Sequence, residues 1–432
     1  MSPADSLQNK LSAEAEQKSE KIGTQTSSLF RLQSRYDPKG DQPHVIEEIK
    51  ESILNDNREQ TIMGVTGCGK TFIMASLINE LQRPALIIAH NKTLAAQLAE
   101  EFKRFFPDNA VHYFVSYYDY YQPESYIPKT DTFIEKQTQI NEEIERLRNA
   151  STQALLTRRD VIIVASVSCI YGLGNPEDYK SLKILMQVGE EYNLSKLARR
   201  LADMQFTRTN MDLKRGYFRI RGEVLEVYPT NEENIGMRFV FWGDQLETVE
   251  SFNILTNQKI EQANEYTIFP AKQYVTTQEK IHRAVENIEK DMHKRVKELE
   301  EEGNLLSAQR LLQRTLNDVE MLLNLGFCSG IENYSGYFDG RPDGEPPSTL
   351  MDYFPSDVLT FVDESHITLP QIGAMYAGDK SRKDTLIQYG FRLPSALNNR
   401  PLKRKEFLNK SGQMVYVSAT PGDFELGYGE FK

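Results

Sequence analysis

Residues 64–71 read Gly64-Val65-Thr66-Gly67-Cys68-Gly69-Lys70-Thr71. The spacing is G-x-x-x-x-G-K-[ST], that of a phosphate-binding loop. Its glycines let the backbone aim N–H groups at phosphate oxygens. The positive end of the following helix faces the same anion. A chance match arises in roughly one chain of this length in a hundred. The context also fits, because the apolar run Thr61–Met63 precedes the loop and a helical pattern over Thr71–Leu81 follows it. Lys70 is the candidate contact to the β- and γ-phosphates, and Thr71 the candidate hydroxyl on Mg²⁺. The expected cofactors are ATP and Mg²⁺.

Further runs resemble the strand before the loop: Ala85–Ala89, Val161–Ala165, Val358–Val362 and Met414–Val417. Continuous short apolar runs fit strands buried on both faces of a parallel sheet. A helical pattern over Thr93–Phe105 follows the second, so strand and helix alternate as in an α/β fold. The fourth run ends in Asp363-Glu364-Ser365-His366. Asp363 is the candidate metal carboxylate and Glu364 the candidate to polarise an attacking water. With Lys70 they form the candidate catalytic set. The last run ends in Ser418-Ala419-Thr420.

Two stretches interrupt this alternation. Residues 205–250 carry closely spaced β patterns with glycine turns, which predicts an inserted β-rich domain. Arg208, Arg219, Arg221 and Arg238 lie in it, and either a DNA backbone or an acidic protein partner would suit them. Residues 277–325 repeat apolar positions every three or four residues, with Gly303 between two series, which predicts a helical hairpin. Its second series is Leu305, Ala308, Leu312, Leu316, Val319 and Leu323.

Residues 113–133 are the most unusual stretch. Six of the chain's 21 tyrosines fall within residues 113–126, too many for background composition. Tyr113–Val115 and Phe133–Ile134 flank them as apolar strand ends, so a long β-hairpin with an aromatic rim is expected. Aromatic faces stack on nucleobases without sequence preference, at about 1–3 kcal/mol per base. A protein-binding loop or a packed core hairpin would use the same residues.

The order P-loop, DESH, SAT resembles a superfamily-two helicase motor. Phe30, Tyr36, Pro38, Gly40, Asp41 and Gln42 resemble the adenine-recognition segment of such motors. That resemblance implies that Tyr36 stacks on adenine and Gln42 bonds its edge, joining residues 64–71 as nucleotide contacts. The segment YYDYYQPESYIPKTDTFIEK resembles the DNA-clamping hairpin of the UvrB family of bacterial nucleotide excision repair. The resemblance implies DNA contacts at Tyr117, Tyr118, Tyr120, Tyr121, Tyr126 and Phe133. It makes Tyr117, Tyr118 and Phe133 base-contacting and the tyrosines at the tip strand-separating. The inserted segment resembles that family's UvrA-binding domain, a module shared with the transcription–repair coupling factor. Arg208, Arg219, Arg221 and Arg238 are then expected to pair with acidic residues of UvrA. The family often carries an acidic residue where this chain has Val240, and Ser where it has Cys68.

The fold class expected is α/β: a RecA-like P-loop NTPase lobe with a protruding β-hairpin, an inserted β-rich domain and a helical insertion. The expected segments are a disordered tail over 1–27 and the first part of the lobe over 28–175, with the hairpin at about 113–140. The UvrA-binding insert follows over 176–270, the helical insertion over 271–340 and the rest of the lobe over 341–432. The expected partners are UvrA and damaged DNA, with UvrC recruited for incision only by a longer protein. The chain is not expected to be a nuclease. It ends soon after SAT, before any second lobe that would bring transition-state arginines, so impaired hydrolysis is expected. The competing readings are a non-hydrolysing DNA- and UvrA-binding module, a coupling-factor-like translocase and a small-molecule kinase.

Net charge is −11, which argues against a purely electrostatic DNA coat and leaves a local basic groove open. No apolar run reaches eighteen residues. The N-terminus lacks a secretory apolar region, and the three cysteines are far apart with no CxxC. A cytoplasmic setting is expected.

Overall fold

The computed structural model describes residues 28–427, so the tail expected over 1–27 lies outside the described residues. The central sheet has six strands, all parallel, in the order Glu59–Met63, Gln413–Ser418, Leu359–Asp363, Ala85–Ala89, Val161–Ser166, Ala110–Phe114. The strand leading into the P-loop and the strands ending in DESH and SAT are therefore neighbours. The sheet is covered on both faces because successive side chains alternate between them. Leu86, Ile88, Ile163, Val362 and Tyr416 enter one core; Ile87, Ile162, Val164, Phe361 and Val415 enter the other. Helices Gln42–Leu54, Lys70–Leu81 and Lys92–Phe105 close the second core, and helices Glu142–Thr157 and Ser365–Gln388 contribute to the first. This is a RecA-like lobe.

The sixth strand corrects one expectation. Tyr113–Val115 does not flank the hairpin, because Ala110–Phe114 forms the edge of the central sheet, paired with Val161–Ser166. Phe114 and Val115 are buried and hold it there. His112 sits in this strand, half-buried. Burial, then Arg158, Lys103 and Arg146, push its pKa down to about 4, against a weaker opposing pull from Asp160. The imidazole is neutral in the fold, whereas the unfolded chain takes up a proton below about pH 6.5. Stability from this group is full above that pH and lost as pH falls toward about 4. His112→Gln should therefore flatten the decline in urea midpoint between pH 7 and pH 5. Equal declines in the two proteins would refute this.

The hairpin pairs Tyr118–Gln122 with Gln137–Ile140, then Ser125–Ile127 with Thr132–Ile134. It turns at Pro128–Thr130, where Asp131 has φ 45°. Asn141 closes its base, donating to Asp119 and capping the helix Glu142–Thr157.

The inserted domain is bracketed by its incoming and outgoing strands, Ile184–Gln187 and Glu265–Ile268, which pair antiparallel. Between them lies a second six-stranded sheet: Thr207–Arg208, Tyr217–Arg221, Val224–Val227, Ile235–Trp242, Gln245–Asn253 and Lys259–Ala263. Its first pair is parallel and the others antiparallel. The amphipathic helix Leu194–Asp203 seats Leu197 and Leu201 on its inner face.

Helices Gln278–Glu301 and Leu305–Leu325 form the expected hairpin, with Gly303 at φ 80° in the turn. The first buries its apolar stripe of Ile281, Val285, Ile288, Met292, Val296 and Leu299. The second is rotated: Ala308, Leu311, Thr315, Asp318, Val319 and Leu322 face inward, while Leu305, Leu316 and Leu323 face solvent. The cause is polar. Asp318 accepts a hydrogen bond from Tyr334 Oη at 2.7 Å and faces Arg392 at 3.4 Å, and the helix turns to keep it inside.

Candidate functional site: a nucleotide cradle and an aromatic clasp

The P-loop leaves the sheet at Met63 and enters helix Lys70–Leu81. Gly67 and Gly69 have φ of 84° and 87°, conformations that side chains rarely adopt. Gly64 is needed for a different reason. A Cβ there would lie 2.6 Å from Cys68 Sγ, so the Cys68 side chain folds over bare backbone. Lys70 Nζ donates to the Gly64 carbonyl at 3.0 Å and stands 3.8 Å from Glu364 Oε1. Val65 and Thr66 are exposed at the crest, and Thr71 is half-buried at the start of the helix.

Gln42 opens helix Gln42–Leu54 beside this loop. Its amide donates to the Cys68 carbonyl at 2.8 Å and accepts from Lys39 N–H at 3.0 Å. A Cβ on Gly69 would lie 2.4 Å from Gln42 Nε2, so the two segments are in close register. Tyr36 is 73% exposed and held by its N–H to Ser34 Oγ, at 2.9 Å.

Asp363 ends its strand 6% exposed. Burial, and then the neighbouring Glu364, push its pKa up to about 6. A buried carboxylate beside a second one is a site that a divalent cation would relieve, and this donor set fits Mg²⁺ with the Thr71 hydroxyl. Glu364 has φ 42° and turns the chain from strand into helix. The third motif joins directly. Gly64 N–H donates to the Ser418 carbonyl at 3.1 Å. His366 Nδ1 lies 2.8 Å from Ser418 Oγ and 3.6 Å from Glu364 Oε2. Thr420 N–H also donates to Ser418 Oγ. Three motifs from distant parts of the chain thus meet at neighbouring strand ends: Lys70, Gly64, His366, Ser418 and Thr420 are hydrogen-bonded, and Glu364 faces both Lys70 and His366.

The hairpin's aromatic residues divide into two groups. At its base, Tyr117 stacks on Tyr118 at 4.3 Å and Tyr118 on Tyr121 at 5.0 Å, and the Tyr117 and Tyr118 hydroxyls are 3.0 Å apart. Tyr120 is exposed. Near the tip, Tyr126 pairs across strands with Phe133. Phe133 stacks on Phe391 at 4.5 Å, and Tyr126 lies 4.8 Å from Tyr389 and 4.9 Å from Phe391. The tip residues themselves, Pro128–Thr130, include no tyrosine. The rim is therefore not uniformly free: its outer half clasps the body.

Ion pairs reinforce the clasp. Glu124, buried on the hairpin, faces Arg314 at 2.7 Å and Arg392 at 2.8 Å, while Arg382 donates to its carbonyl. Asp131 pairs with Arg310 and Lys136 with Glu332. A cavity of about 310 Å³ remains between hairpin and body, lined in part by Tyr121, Lys136, Tyr171, Arg382 and Lys383. Sequence reading missed Glu124, Arg392 and Phe391, for nothing in their local pattern marks them. It also missed Arg148, which is buried, lies 3.9 Å over Phe114 and 4.9 Å from the Tyr117 ring, and donates to the Val115 carbonyl.

On the inserted sheet the four arginines also divide. Arg219 pairs with Glu226, and Arg238 bridges Glu226 at 2.8 Å and Glu250 at 2.9 Å. Both are engaged within the chain. Arg208 and Arg221 are exposed, and among the described residues Arg221 donates one long bond, 3.5 Å, to the Asn210 carbonyl.

Comparisons with known proteins agree with this arrangement. Residues 35–165 match the family described as Type III restriction enzyme, res subunit; residues 184–274 match the UvrB interaction domain; residues 279–340 match the UvrB third helical domain. UvrABC system protein B of Caldicellulosiruptor bescii is 56% identical over 397 residues, covering 92% of this chain and 60% of that protein. The Clostridium beijerinckii protein is 54% identical over 401 residues, covering 93% and 61%. That of Staphylococcus aureus strain MSSA476 is 55% identical over 397 residues, covering 92% and 60%. The chain spans about 60% of the length of the curated relatives it matches. With a helicase-like lobe, both UvrB-specific insertions and this identity along nearly all its length, the chain belongs to the UvrB family.

Proposed function

We propose that this chain forms the nucleotide-using and DNA-gripping part of a damage-verification subunit in the UvrABC excision system. The observation that carries the reading is the aromatic hairpin, rooted on the edge of a P-loop lobe and folded over a polar cavity. UvrA loads the subunit through the inserted domain, one strand of damaged DNA passes between hairpin and body, and UvrC is recruited for incision by the longer protein. The setting proposed with it is the bacterial cytoplasm.

In the nucleotide site, residues 64–71 cradle the phosphates, with Lys70 on the β- and γ-oxygens and Tyr36 and Gln42 at the base. Thr71 and Asp363 hold Mg²⁺. Bound ATP supplies the phosphoanhydride whose cleavage drives strand opening. Glu364, angled toward Lys70 by its turn, accepts the proton of the attacking water at its carboxylate. The His366–Ser418 contact ties that carboxylate to the strand carrying SAT, so occupancy of the site can be felt along the sheet. At the hairpin, the Tyr117–Tyr118–Tyr121 stack offers faces to splayed bases, while Phe133 is reached once it leaves Phe391.

The test is binding of the chain to damaged duplex DNA with UvrA and ATP. The double change Tyr120→Ala and Tyr121→Ala should weaken retention on DNA at least about tenfold, by the stacking energies of two bases. Unchanged retention would remove the hairpin from DNA binding.

A further inference from the structure

The strand Tyr118–Gln122 departs from the alternation expected of a strand. Successive side chains point to opposite faces, so residues two apart share a face and residues three apart do not. Tyr118 and Tyr121 are three apart, yet their rings stack at 5.0 Å, 18° from parallel. Tyr120 takes the other face, where its hydroxyl donates to Gln122 Oε1 at 2.7 Å. The cause is an extra residue. Tyr118 lies opposite Ile140 and Tyr120 opposite Gln139, so the register skips Asp119. Such an insertion is a β-bulge, and it re-aims the side chains around it. The bulge therefore decides that Tyr121, and not Tyr120, continues the stack begun by Tyr117 and Tyr118 and lines the cavity behind the hairpin.

One side chain holds the bulged residue. Asn141 Nδ2 donates to both carboxylate oxygens of Asp119, at 3.1 and 3.0 Å. Its Oδ1 accepts from the N–H groups of Glu143 and Ile144, at 3.1 and 3.0 Å, in the first turn of helix Glu142–Thr157. Its backbone N–H donates to the Tyr117 carbonyl at 2.8 Å, while Lys92 Nζ donates to the Tyr118 carbonyl at 2.9 Å. A helix cap alone does not require asparagine, because aspartate caps as well. The requirement comes from Asp119. Its carboxylate only accepts, and among side chains of this length the amide alone donates at one end and accepts at the other.

We propose that Asn141 is a positioning residue of the DNA grip: by binding Asp119 it keeps the bulge in place, and the bulge sets which tyrosine faces the bases. Neither side chain needs to touch DNA. The inference rests on reading the hairpin as the element that holds DNA.

Exchanging the two side chains tests it. Asn141→Asp keeps an oxygen for the helix cap and sets a carboxylate against Asp119. Retention on damaged duplex DNA, with UvrA and ATP, should fall about tenfold, as for the loss of one stacked base. Adding Asp119→Asn restores a donor across the bulge from the opposite side, and should return retention to within about twofold of the unaltered chain, as coupled neighbours do. Melting temperature and nucleotide affinity should be unchanged in both proteins, since the pair lies at the hairpin base and outside the cradle. Amide exchange over Gln137–Ile140 should accelerate in Asn141→Asp and slow again in the exchanged pair, a readout that needs no DNA. A loss that the exchanged pair does not repair would overturn the proposal and assign Asn141 to the fold alone. Wild-type retention in Asn141→Asp, where Tyr120→Ala with Tyr121→Ala loses it, would overturn this proposal and leave the hairpin reading standing. Retention that neither Asn141→Asp nor the tyrosine pair alters would overturn both.

Discussion

Lys70→Ala is expected to lower affinity for an ATP analogue by about ten- to a hundredfold and leave the fold intact. Charge-assisted hydrogen bonds to phosphate contribute about 1.5–3 kcal/mol each, which converts to that range. Nothing else in the cluster replaces the ammonium. It is held 3.0 Å from the Gly64 carbonyl and 3.8 Å from Glu364, poised over the cradle by the first turn of its helix. Removing it also leaves Glu364 and buried Asp363 without their neighbouring cation, so anionic phosphate meets two unopposed carboxylates. Equilibrium binding of a fluorescent nucleotide measures the loss, and circular dichroism checks the fold. Affinity within twofold of the unaltered protein would remove Lys70 from the phosphate site.

Arg392→Ala is expected to be the most damaging single change to the clasp, at about 3–5 kcal/mol. That is the usual cost of removing one partner from a buried ion pair, because the remaining charge stays buried and uncompensated. Here two buried carboxylates lose a shared cation together, Glu124 on the hairpin and Asp318 on the helical insertion. Arg314 still faces Glu124 at 2.7 Å, and Asp318 keeps its hydrogen bond from Tyr334. The loss should concentrate where the hairpin meets the body. Amide exchange should therefore accelerate over Ser125–Ile134 and stay slow over Ala85–Ala89, in the central sheet. Uniform acceleration would mean that Arg392 supports the whole lobe and not the clasp. The conservative Arg392→Lys should recover only part of the loss, since one ammonium cannot hold both carboxylates in the geometry of a guanidinium.

The polar rotation of helix Leu305–Leu325 shows why periodicity alone misled. Its leucines at 305, 316 and 323 fit a 3.6-residue stripe as well as the residues that are buried. What separates the alternatives is Asp318, whose partners Tyr334 and Arg392 come from other segments and leave no trace in the helix's own pattern. The same holds for the four arginines of the inserted domain. Their positions were visible, but Arg219 and Arg238 are engaged by glutamates directly opposite them on adjacent strands, and only register reveals that.

By itself the sequence determined the parallel sheet, the phosphate cradle and its acidic strand end, the aromatic hairpin and the two insertions. These rest on local physics: continuous apolar runs demand burial on both faces, and glycines at 67 and 69 permit a backbone that other residues resist. Only the tertiary structure decided that His366 meets Ser418, that the outer hairpin closes on Phe391, and that Arg219 and Arg238 are the arginines held in ion pairs on the inserted sheet. Each of those depends on groups brought within a few ångströms by the folded chain, whether they lie 7 residues apart, as Arg219 and Glu226 do, or 52, as His366 and Ser418 do. Hydrogen bonds, ring contacts and ion pairs act over those few ångströms, and separation along the chain carries no information about them.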